Sequence, residues 1–179
     1  DVYKRQVGGQ GDDIITGGDE ADIITGGAGN DQLTGGSGSD TFNIDTDSDT
    51  ITDLSESDIL IISTAATANA TISANYSATA ATINDGTANL TAKAGVNATI
   101  NMSSSAAGLY TITGNDGADI LTGGSGNDII SGGDAGDTID GGDGDDDLTG
   151  DVGSDSLTGG DGNDTFNVKV ETTSGGNVY

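Results

Sequence analysis

Apolar residues recur every nine positions in two parts of the chain. Residues 123–131 read Gly-Gly-Ser-Gly-Asn-Asp-Ile-Ile-Ser, so a glycine-rich half with one aspartate precedes a bulky apolar residue between two others. Glycines allow positive φ and a close approach of backbones, which predicts a tight turn for the first half. The second half alternates with period two and predicts a short strand with one side chain pointing inward. A turn and a strand repeated at a fixed period predict a β-solenoid.

The unit Gly-Gly-x-Gly-x-Asp-x-(apolar)-x occurs ten times, in a first array at residues 8–43 and a second array at residues 114–167. Each unit has its aspartate at position six and its inward apolar residue at position eight. In the first array these residues are Asp13, Asp22, Asp31 and Asp40, with Ile15, Ile24, Leu33 and Phe42. In the second array they are Asp119, Asp128, Asp137, Asp146, Asp155 and Asp164, with Leu121, Ile130, Ile139, Leu148, Leu157 and Phe166. Each array ends on a phenylalanine, which is expected to plug the end of its roll.

The turns carry the residue types that bind a hard cation. Calcium takes six to eight oxygen ligands, and carboxylates and backbone carbonyls are the ligands that it prefers. The ten aspartates at position six are therefore candidate metal ligands, and the turn glycines are candidates through their carbonyl groups. These glycines are Gly9, Gly11, Gly27, Gly29, Gly36, Gly38, Gly117, Gly124, Gly126, Gly133, Gly142, Gly144, Gly153, Gly160 and Gly162.

The nine-residue unit resembles the hemolysin-type calcium-binding repeats of the repeats-in-toxin (RTX) family, over roughly half of the chain. The resemblance implies an all-β fold, a parallel β-roll with two units per coil, in which calcium lies between one turn and the turn two units later. Aspartates of adjacent coils would then share ions, about six in all. The pairs would be Asp13 with Asp31, Asp22 with Asp40, Asp119 with Asp137, Asp128 with Asp146, Asp137 with Asp155, and Asp146 with Asp164.

Four turns depart from the pattern at a glycine position. Asn115 and Asp151 replace the second glycine of their units, and Glu20 and Ala135 replace the third. Because the turn is expected to need glycine conformations, fewer than six ions are expected if these turns, and that of Glu20 in particular, do not form.

Residues 44–113 separate the arrays and predict an irregular, β-rich spacer. The segment starts acidic, becomes strongly apolar at residues 59–62, and is then rich in Ala, Thr, Ser and Asn. Apolar residues at intervals of roughly ten favour several short strands, as a degenerate solenoid or a small sheet. The spacer is not a multiple of nine residues long, so the arrays need not form one continuous roll.

The acidic start of the spacer contains a second candidate cation site. Asp45, Asp47, Asp49, Asp53 and Glu56 have the spacing of an EF-hand loop. Against an EF-hand, Thr50 stands where the loop needs glycine, and the flanking residues predict strands. The alternatives are another kind of calcium site and a simple acidic segment, since the residues resemble the acidic stretch that commonly follows RTX arrays.

Composition narrows the classes of function. The chain has 30 acidic and 4 basic residues and a net charge of −26, which argues against nucleic acid and anionic membranes as partners. It has no His and no Cys, so His-assisted triads, His-based zinc sites and thiolate nucleophiles are excluded, and we expect no enzyme activity. No apolar run reaches the ~20 residues of a membrane span. Residues 1–7 are expected to be a non-native or disordered leader, and residues 168–179 a truncated tail.

One inward apolar residue per nine makes a thin core, and the stacked carboxylates repel one another. We therefore expect the arrays to fold only when calcium is bound. The RTX resemblance implies type I secretion and an extracellular, secreted or cell-surface location in bacteria. The leading hypothesis is a module of a surface protein, an adhesin or an S-layer-type protein, with calcium, the rest of a larger polypeptide, and cell-surface or matrix components as partners. The alternative is the C-terminal calcium-binding region of a type I-secreted enzyme, such as a protease or lipase, or of a toxin.

Overall fold

The chain winds into a parallel β-solenoid of about nine turns. The computed structural model describes residues 4–55, 57–73, 75–105 and 108–167, and these contain strands and turns but no helix. The strands are β1 (Arg5–Gln10), β2 (Ile14–Asp19), β3 (Ile23–Ala28), β4 (Gln32–Ser37), β5 (Thr41–Ile44), β6 (Ser48–Leu54), β7 (Ile59–Ile62), β8 (Thr67–Ile72), β9 (Asn75–Ser77), β10 (Ile83–Asn84), β11 (Thr87–Ala92), β12 (Thr99–Asn101), β13 (Leu109–Asn115), β14 (Ile120–Thr122), β15 (Ile129–Asp134), β16 (Thr138–Asp143), β17 (Asp147–Val152), β18 (Ser156–Asp161) and β19 (Thr165–Asn167). The predicted all-β fold and parallel β-roll are confirmed.

Strands of alternate units pair, so one coil contains two nine-residue units. A nine-stranded sheet, which we call the long sheet, has the order β19-β17-β15-β13-β11-β8-β6-β4-β2. Two five-stranded sheets complete the coils, with the orders β1-β3-β5-β7-β10 and β18-β16-β14-β12-β9. All pairings among the described strands are parallel, and in the arrays equivalent positions of units one coil apart align, as Ile15 does with Leu33 and Leu148 with Phe166.

Most strands of the arrays are longer than the three residues predicted for each unit. Strand β2 continues from Ile14 through Gly17 and Gly18 to Asp19. Ile15 and Gly17 are both buried while Ile14 and Thr16 are exposed, so the inward and outward alternation runs on into the next unit. A glycine at the first position therefore occupies an inward-facing strand position, which the sequence pattern had assigned to the turn.

The inward residues of the arrays form separate rows, one in each sheet, and these rows belong to one shared core. Most position-eight side chains are buried, whereas Phe166 on the last described strand is 47% exposed. Phe42 does not plug the end of a roll, contrary to the prediction, because β7 follows β5 in the sheet and places Leu60 beside it. Phe42 is therefore an ordinary core residue of a solenoid that continues.

The spacer belongs to the same solenoid. The long sheet passes from β4 through β6, β8 and β11 to β13, so the degenerate-solenoid alternative holds and the two arrays are joined without a break. Coil lengths vary in this region, since Thr67 pairs with Thr87 and Thr87 with Leu109. The irregularity is concentrated on the other side, where one five-stranded sheet ends at β10 and the next begins at β9. The spacer core combines small alanines with two large buried side chains, Tyr76 and Tyr110.

The structure also includes part of the segment that the sequence led us to exclude. Strand β1 begins at Arg5, and Arg5, Gln6 and Val7 pair with β3. Residues 1–3 and residues 168–179 of the predicted tail lie outside the described residues.

Candidate metal centre

The position-six aspartates stack into ladders along the solenoid. In each step of a ladder, the Oδ1 atom of one aspartate accepts a hydrogen bond from the backbone N–H of the aspartate one coil earlier. The N–H groups of Asp13 and Asp22 donate to Asp31 at 2.8 Å and to Asp40 at 2.7 Å. In the second array the corresponding bonds join Asp119 to Asp137, Asp137 to Asp155, Asp128 to Asp146, and Asp146 to Asp164, at 2.7–3.1 Å. The structure thus brings together all six aspartate pairs named from the sequence.

The second carboxylate oxygen is buried and unsatisfied in most of these aspartates. The Oδ2 atom has no hydrogen-bond partner in Asp13, Asp22, Asp31, Asp119, Asp137 and Asp146. A buried carboxylate oxygen without a partner is strongly unfavourable. Six such atoms in equivalent places indicate that the fold provides for a cation there.

Each position-one glycine makes room for this oxygen. A Cβ on Gly17 would lie 2.6 Å from Oδ2 of Asp22 and 2.5 Å from the carbonyl oxygen of Gly35 in the next coil. Carboxylate and carbonyl oxygens therefore converge on the glycine Cα, and a side chain at this position would displace them. The residues fit a hard divalent cation, which binds this combination of oxygens.

The glycines of the turns let the backbones of neighbouring coils approach each other closely. Gly27 and Gly29 have φ values of 104° and 127°, and a Cβ on Gly29 would lie 2.6 Å from the carbonyl oxygen of Gly11 one coil earlier. Positive φ is shared by the candidate glycines Gly9, Gly11, Gly36, Gly38, Gly133, Gly142, Gly144, Gly153, Gly160 and Gly162. The carbonyl groups of stacked turns thus approach the turns of the following coil.

Three candidate glycines differ, namely Gly117, Gly124 and Gly126, which lack positive φ. They stack on spacer residues rather than on a regular turn, as Gly117 does on Val96. In the turn that contains Gly124 and Gly126, the N–H of Gly124 donates to Oδ2 of Asp128 at 2.6 Å. Oδ1 of Asp128 accepts from the N–H of Tyr110, so both carboxylate oxygens are hydrogen-bonded.

The four turns without a glycine keep the glycine conformation. Glu20, Asn115, Ala135 and Asp151 have φ values of 78°, 75°, 80° and 67°. The Glu20 turn, whose geometry the sequence left open, therefore forms with the left-handed backbone conformation of a glycine. The backbone is held in place by the stacked coils, and the left-handed conformation costs about 1–2 kcal/mol at a residue with a side chain.

Burial raises the pKa of several ladder aspartates. The pKa of Asp128 rises to about 6, because desolvation outweighs the backbone hydrogen bonds, and the charge of Asp146 adds to the effect. Burial also raises the pKa of Asp40, Asp119, Asp137 and Asp146. The ladders are therefore places where a negative charge is unfavourable without a positive partner.

Two further aspartates, Asp49 and Asp58, extend the ladders of the first array, and sequence reasoning did not assign them to it. The N–H of Asp31 donates to Asp49 Oδ1 at 3.0 Å, and the N–H of Asp40 donates to Asp58 Oδ1 at 2.9 Å. The sequence signal that could have found them is their separation of 18 residues, one full coil, from Asp31 and Asp40.

The acids with EF-hand spacing do not form an EF-hand loop. Ser48–Leu54 is strand β6, and Glu56 lies outside the described residues. Among the residues that the structure describes, no group of three or more acidic side chains converges well enough to hold a metal ion on its own. A cation in the ladders would therefore take backbone carbonyl oxygens in addition to two aspartates.

A fold of stacked turns with paired carboxylates defines a cation-binding β-solenoid, and comparison with known families gives its class. The family described as RTX calcium-binding nonapeptide repeat (4 copies) matches residues 7–42, 111–139 and 140–168, slightly more than half of the chain. The chain belongs to this RTX family and carries calcium-binding repeats. The searches of curated proteins and of solved structures found no match. In the described part of the chain, no helix is long and apolar enough to cross a membrane.

Proposed function

We propose that this chain is a calcium-dependent folding module of a secreted bacterial surface protein, of the adhesin or S-layer type. The observation that carries the proposal is the row of buried Oδ2 atoms without partners, as in Asp31 and Asp137. Without a cation, each buried charge opposes closure of its coil. With a cation in place, the charge of the same oxygens would be neutralised.

The residues that would hold calcium are the six aspartate pairs, together with carbonyl oxygens of the turns. Bound calcium supplies positive charge and accepts these oxygens as ligands. The chain contributes the positions: the glycine at the first place of each unit leaves space for the carboxylate, and the hydrogen bond to Oδ1 fixes its orientation. About six ions are expected, as in the sequence-based pairing.

Extracellular calcium modules bind with Kd values of ~10⁻⁴–10⁻³ M. At a concentration of ten times Kd, each site adds about 1.4 kcal/mol of stability, so six sites add about 8 kcal/mol. Far below Kd the sites add almost nothing. The chain would therefore remain unfolded at the low calcium concentration inside a cell, which suits export as an unfolded chain, and would fold outside it.

Continuity of the solenoid supports the surface-protein role. The long sheet runs through the spacer from β2 to β19, so the two arrays and the spacer form one extended unit. Such a unit suits a segment that holds other parts of a larger polypeptide away from the cell and toward surface or matrix components. A C-terminal region of a secreted enzyme or toxin is the alternative, and domains encoded next to this segment would distinguish the two.

The direct test is far-UV circular dichroism of the whole chain, with calcium raised from about 1 µM to about 10 mM, a range that spans the expected Kd. We expect a cooperative rise in β signal that magnesium at the same concentrations does not reproduce. An unchanged spectrum, or the same rise with magnesium, would overturn the proposal.

A further inference from the structure

The middle of the solenoid carries almost no charge. Residues 59–113, which we call the neutral segment, contain one acidic residue, Asp85, and one basic residue, Lys93. Both side chains are exposed. The net charge of the neutral segment is therefore zero, in a chain whose net charge is −26.

In the neutral segment, uncharged residues interrupt the aspartate ladder of the long sheet. Asp49 pairs with Ala68, and Ala68 pairs with Ala88. Ala88 pairs with Tyr110, whose N–H donates to Oδ1 of Asp128, where the ladder resumes. Two alanines and a tyrosine therefore hold the places in this row that aspartates hold in both arrays.

The ladder on another wall of the solenoid is replaced in the same way. The N–H of Ala98 donates to Oδ1 of Asp119, so Ala98 lies in that ladder one coil earlier. The pairing of β11 with β13 places Ala92 in the row of Gly114, the glycine that makes room for Asp119. Ala92 and Ala98 are 1% and 2% exposed. Alanine thus replaces both the glycine and the aspartate of a regular coil.

The buried polar side chains of the neutral segment are uncharged. Nδ2 of Asn84 donates to the carbonyl oxygen of Leu109 at 2.9 Å, and the hydroxyls of Thr82 and Tyr76 are hydrogen-bonded to each other at 3.3 Å. The hydroxyl of Tyr110 is buried without a partner, but a neutral hydroxyl costs far less to bury than a carboxylate. No group in the described core of this segment therefore requires a cation.

The neutral segment also has more inward apolar side chains per strand than the arrays. Strands β8 and β11 each bury three, whereas β4 buries Leu33 together with a glycine, Gly35. The six buried residues of β8 and β11 are Ala68, Ala70, Ile72, Ala88, Leu90 and Ala92. Burial of apolar surface stabilises these coils whether or not calcium is present.

At each border of the neutral segment, one ladder ends on a carboxylate that the chain itself satisfies. Oδ2 of Asp58, directly before β7, accepts from the N–H and the hydroxyl of Ser55 at 2.8 and 3.0 Å, and its Oδ1 accepts a backbone hydrogen bond. Both oxygens of Asp128 are also hydrogen-bonded. The other two ladders end on Asp49 and Asp119, whose Oδ2 atoms lack a partner, so calcium dependence begins there.

We propose that the neutral segment folds without calcium and is the template on which both arrays fold when calcium binds. The proposal rests on the calcium-dependent folding proposed above and confines that dependence to the coils with carboxylate ladders. The coils of a solenoid are stabilised by contact with their neighbours, so an array coil forms most easily on a coil that is already folded. The neutral segment offers such a coil to the array on each side.

Amide hydrogen exchange of the full chain in a calcium chelator tests the first part. The probes in the neutral segment are two N–H groups that donate to the preceding coil at 2.9 Å, from Thr87 to the carbonyl oxygen of Ala66 and from Lys93 to that of Ile72. The array probe is the N–H of Asp137, which donates to a carboxylate. The two amides of the neutral segment should exchange about tenfold or more slowly than in an unfolded chain, and that of Asp137 at close to the unfolded rate.

A pair of variants tests the role as a template. Ala88→Asp returns a carboxylate to the interrupted row, where a buried charge without a partner opposes folding. In chelator its neutral segment should lose protection, and its arrays should need severalfold more calcium to fold, because both lose a folded neighbour. Thr91→Asp adds the same charge to the same strand at an outward-facing position and should change neither result.

The outcomes separate this proposal from the broader one. If all of these amides are unprotected in chelator and protected in calcium, the neutral segment does not fold alone and calcium-dependent folding stands. If the amide of Asp137 is as slow in chelator as in calcium, both proposals fall. If the arrays of Ala88→Asp and Thr91→Asp fold at the same calcium concentration, the role as a template is overturned.

Discussion

Asp137 lies in the middle of a ladder, and replacing it should remove two calcium sites at once. Its Oδ1 accepts from the N–H of Asp119, its own N–H donates to Asp155, and its Oδ2 is buried without a partner. Asp137→Asn keeps a carbonyl oxygen for Asp119 and keeps its own N–H, so the hydrogen bonds between coils are preserved. The substitution changes mainly the charge that two ions would share under the proposed pairing.

The size of the effect follows from the number of sites. At a calcium concentration of ten times Kd, each site stabilises the folded chain by about 1.4 kcal/mol, so the loss of two lowers the free energy of unfolding by about 3 kcal/mol. In the presence of a calcium chelator the effect of the substitution on the free energy of unfolding has the opposite sign, because the asparagine removes a buried carboxylate whose pKa is raised by desolvation. The calcium-free variant should therefore be slightly more stable than the calcium-free wild type.

Urea denaturation followed by circular dichroism measures both effects, with Asp134→Asn as the control. Asp134 is exposed and lies three residues away, so its replacement makes the same change in charge outside the ladder. The free energy of unfolding of the control should stay within about 0.5 kcal/mol of wild type in calcium. Equal losses for the two variants in calcium would show that net charge, and not the ladder, governs stability, and would refute the reasoning.

Three more predictions follow from the same geometry. Burial raises the pKa of Asp49 and of Asp128 from 3.8 to about 6 in the folded chain. Their contribution to the stability of the calcium-free chain is therefore present below pH 3.8 and is lost as the pH rises through about 6. Calcium-free circular dichroism should show more β structure at pH 4 than at pH 7, and a flat profile would contradict this. Gly17→Ala should raise the calcium concentration needed for folding severalfold or more, because the added Cβ would meet two oxygens at 2.5 and 2.6 Å. The control Gly136→Ala places its Cβ 3.1 Å from the nearest atom and should have a much smaller effect in the same titration. Ala135→Gly should raise the free energy of unfolding by about 1 kcal/mol in urea, since Ala135 has a φ of 80°, and a loss of stability would show that the turn is not strained there.

The sequence predicted what depends on the fixed period. Two units of nine residues give a coil of 18, and this spacing alone places Asp13 beside Asp31 and Asp119 beside Asp137. The parallel all-β fold follows from the same repeat. These features could be predicted because nearly every unit repeats the same pattern of glycines, one aspartate and one inward apolar residue.

Features that depend on neighbouring coils could not be predicted in this way. The left-handed conformation of Glu20 and Ala135 is imposed by the stacked turns, although neither side chain favours it. The spacer joins the arrays because its coils vary in length while its strands still pair in parallel, in continuous register between Thr67 and Thr87 and with one register shift between Ile51 and Leu54. Asp49 was assigned to an acidic stretch with EF-hand spacing and not to the ladder, because its turn has lost the glycines that mark a unit while keeping the 18-residue spacing.

Amide hydrogen exchange of the full chain, with and without calcium, tests the central claim most directly. The backbone N–H groups of Asp13, Asp119 and Asp137 donate to carboxylates one coil later, so they are protected only when the coils are stacked. We predict that these amides exchange slowly in millimolar calcium and at rates close to those of an unfolded chain in a chelator. Slow exchange at the same amides without calcium would show that the roll folds on its own and would contradict the account.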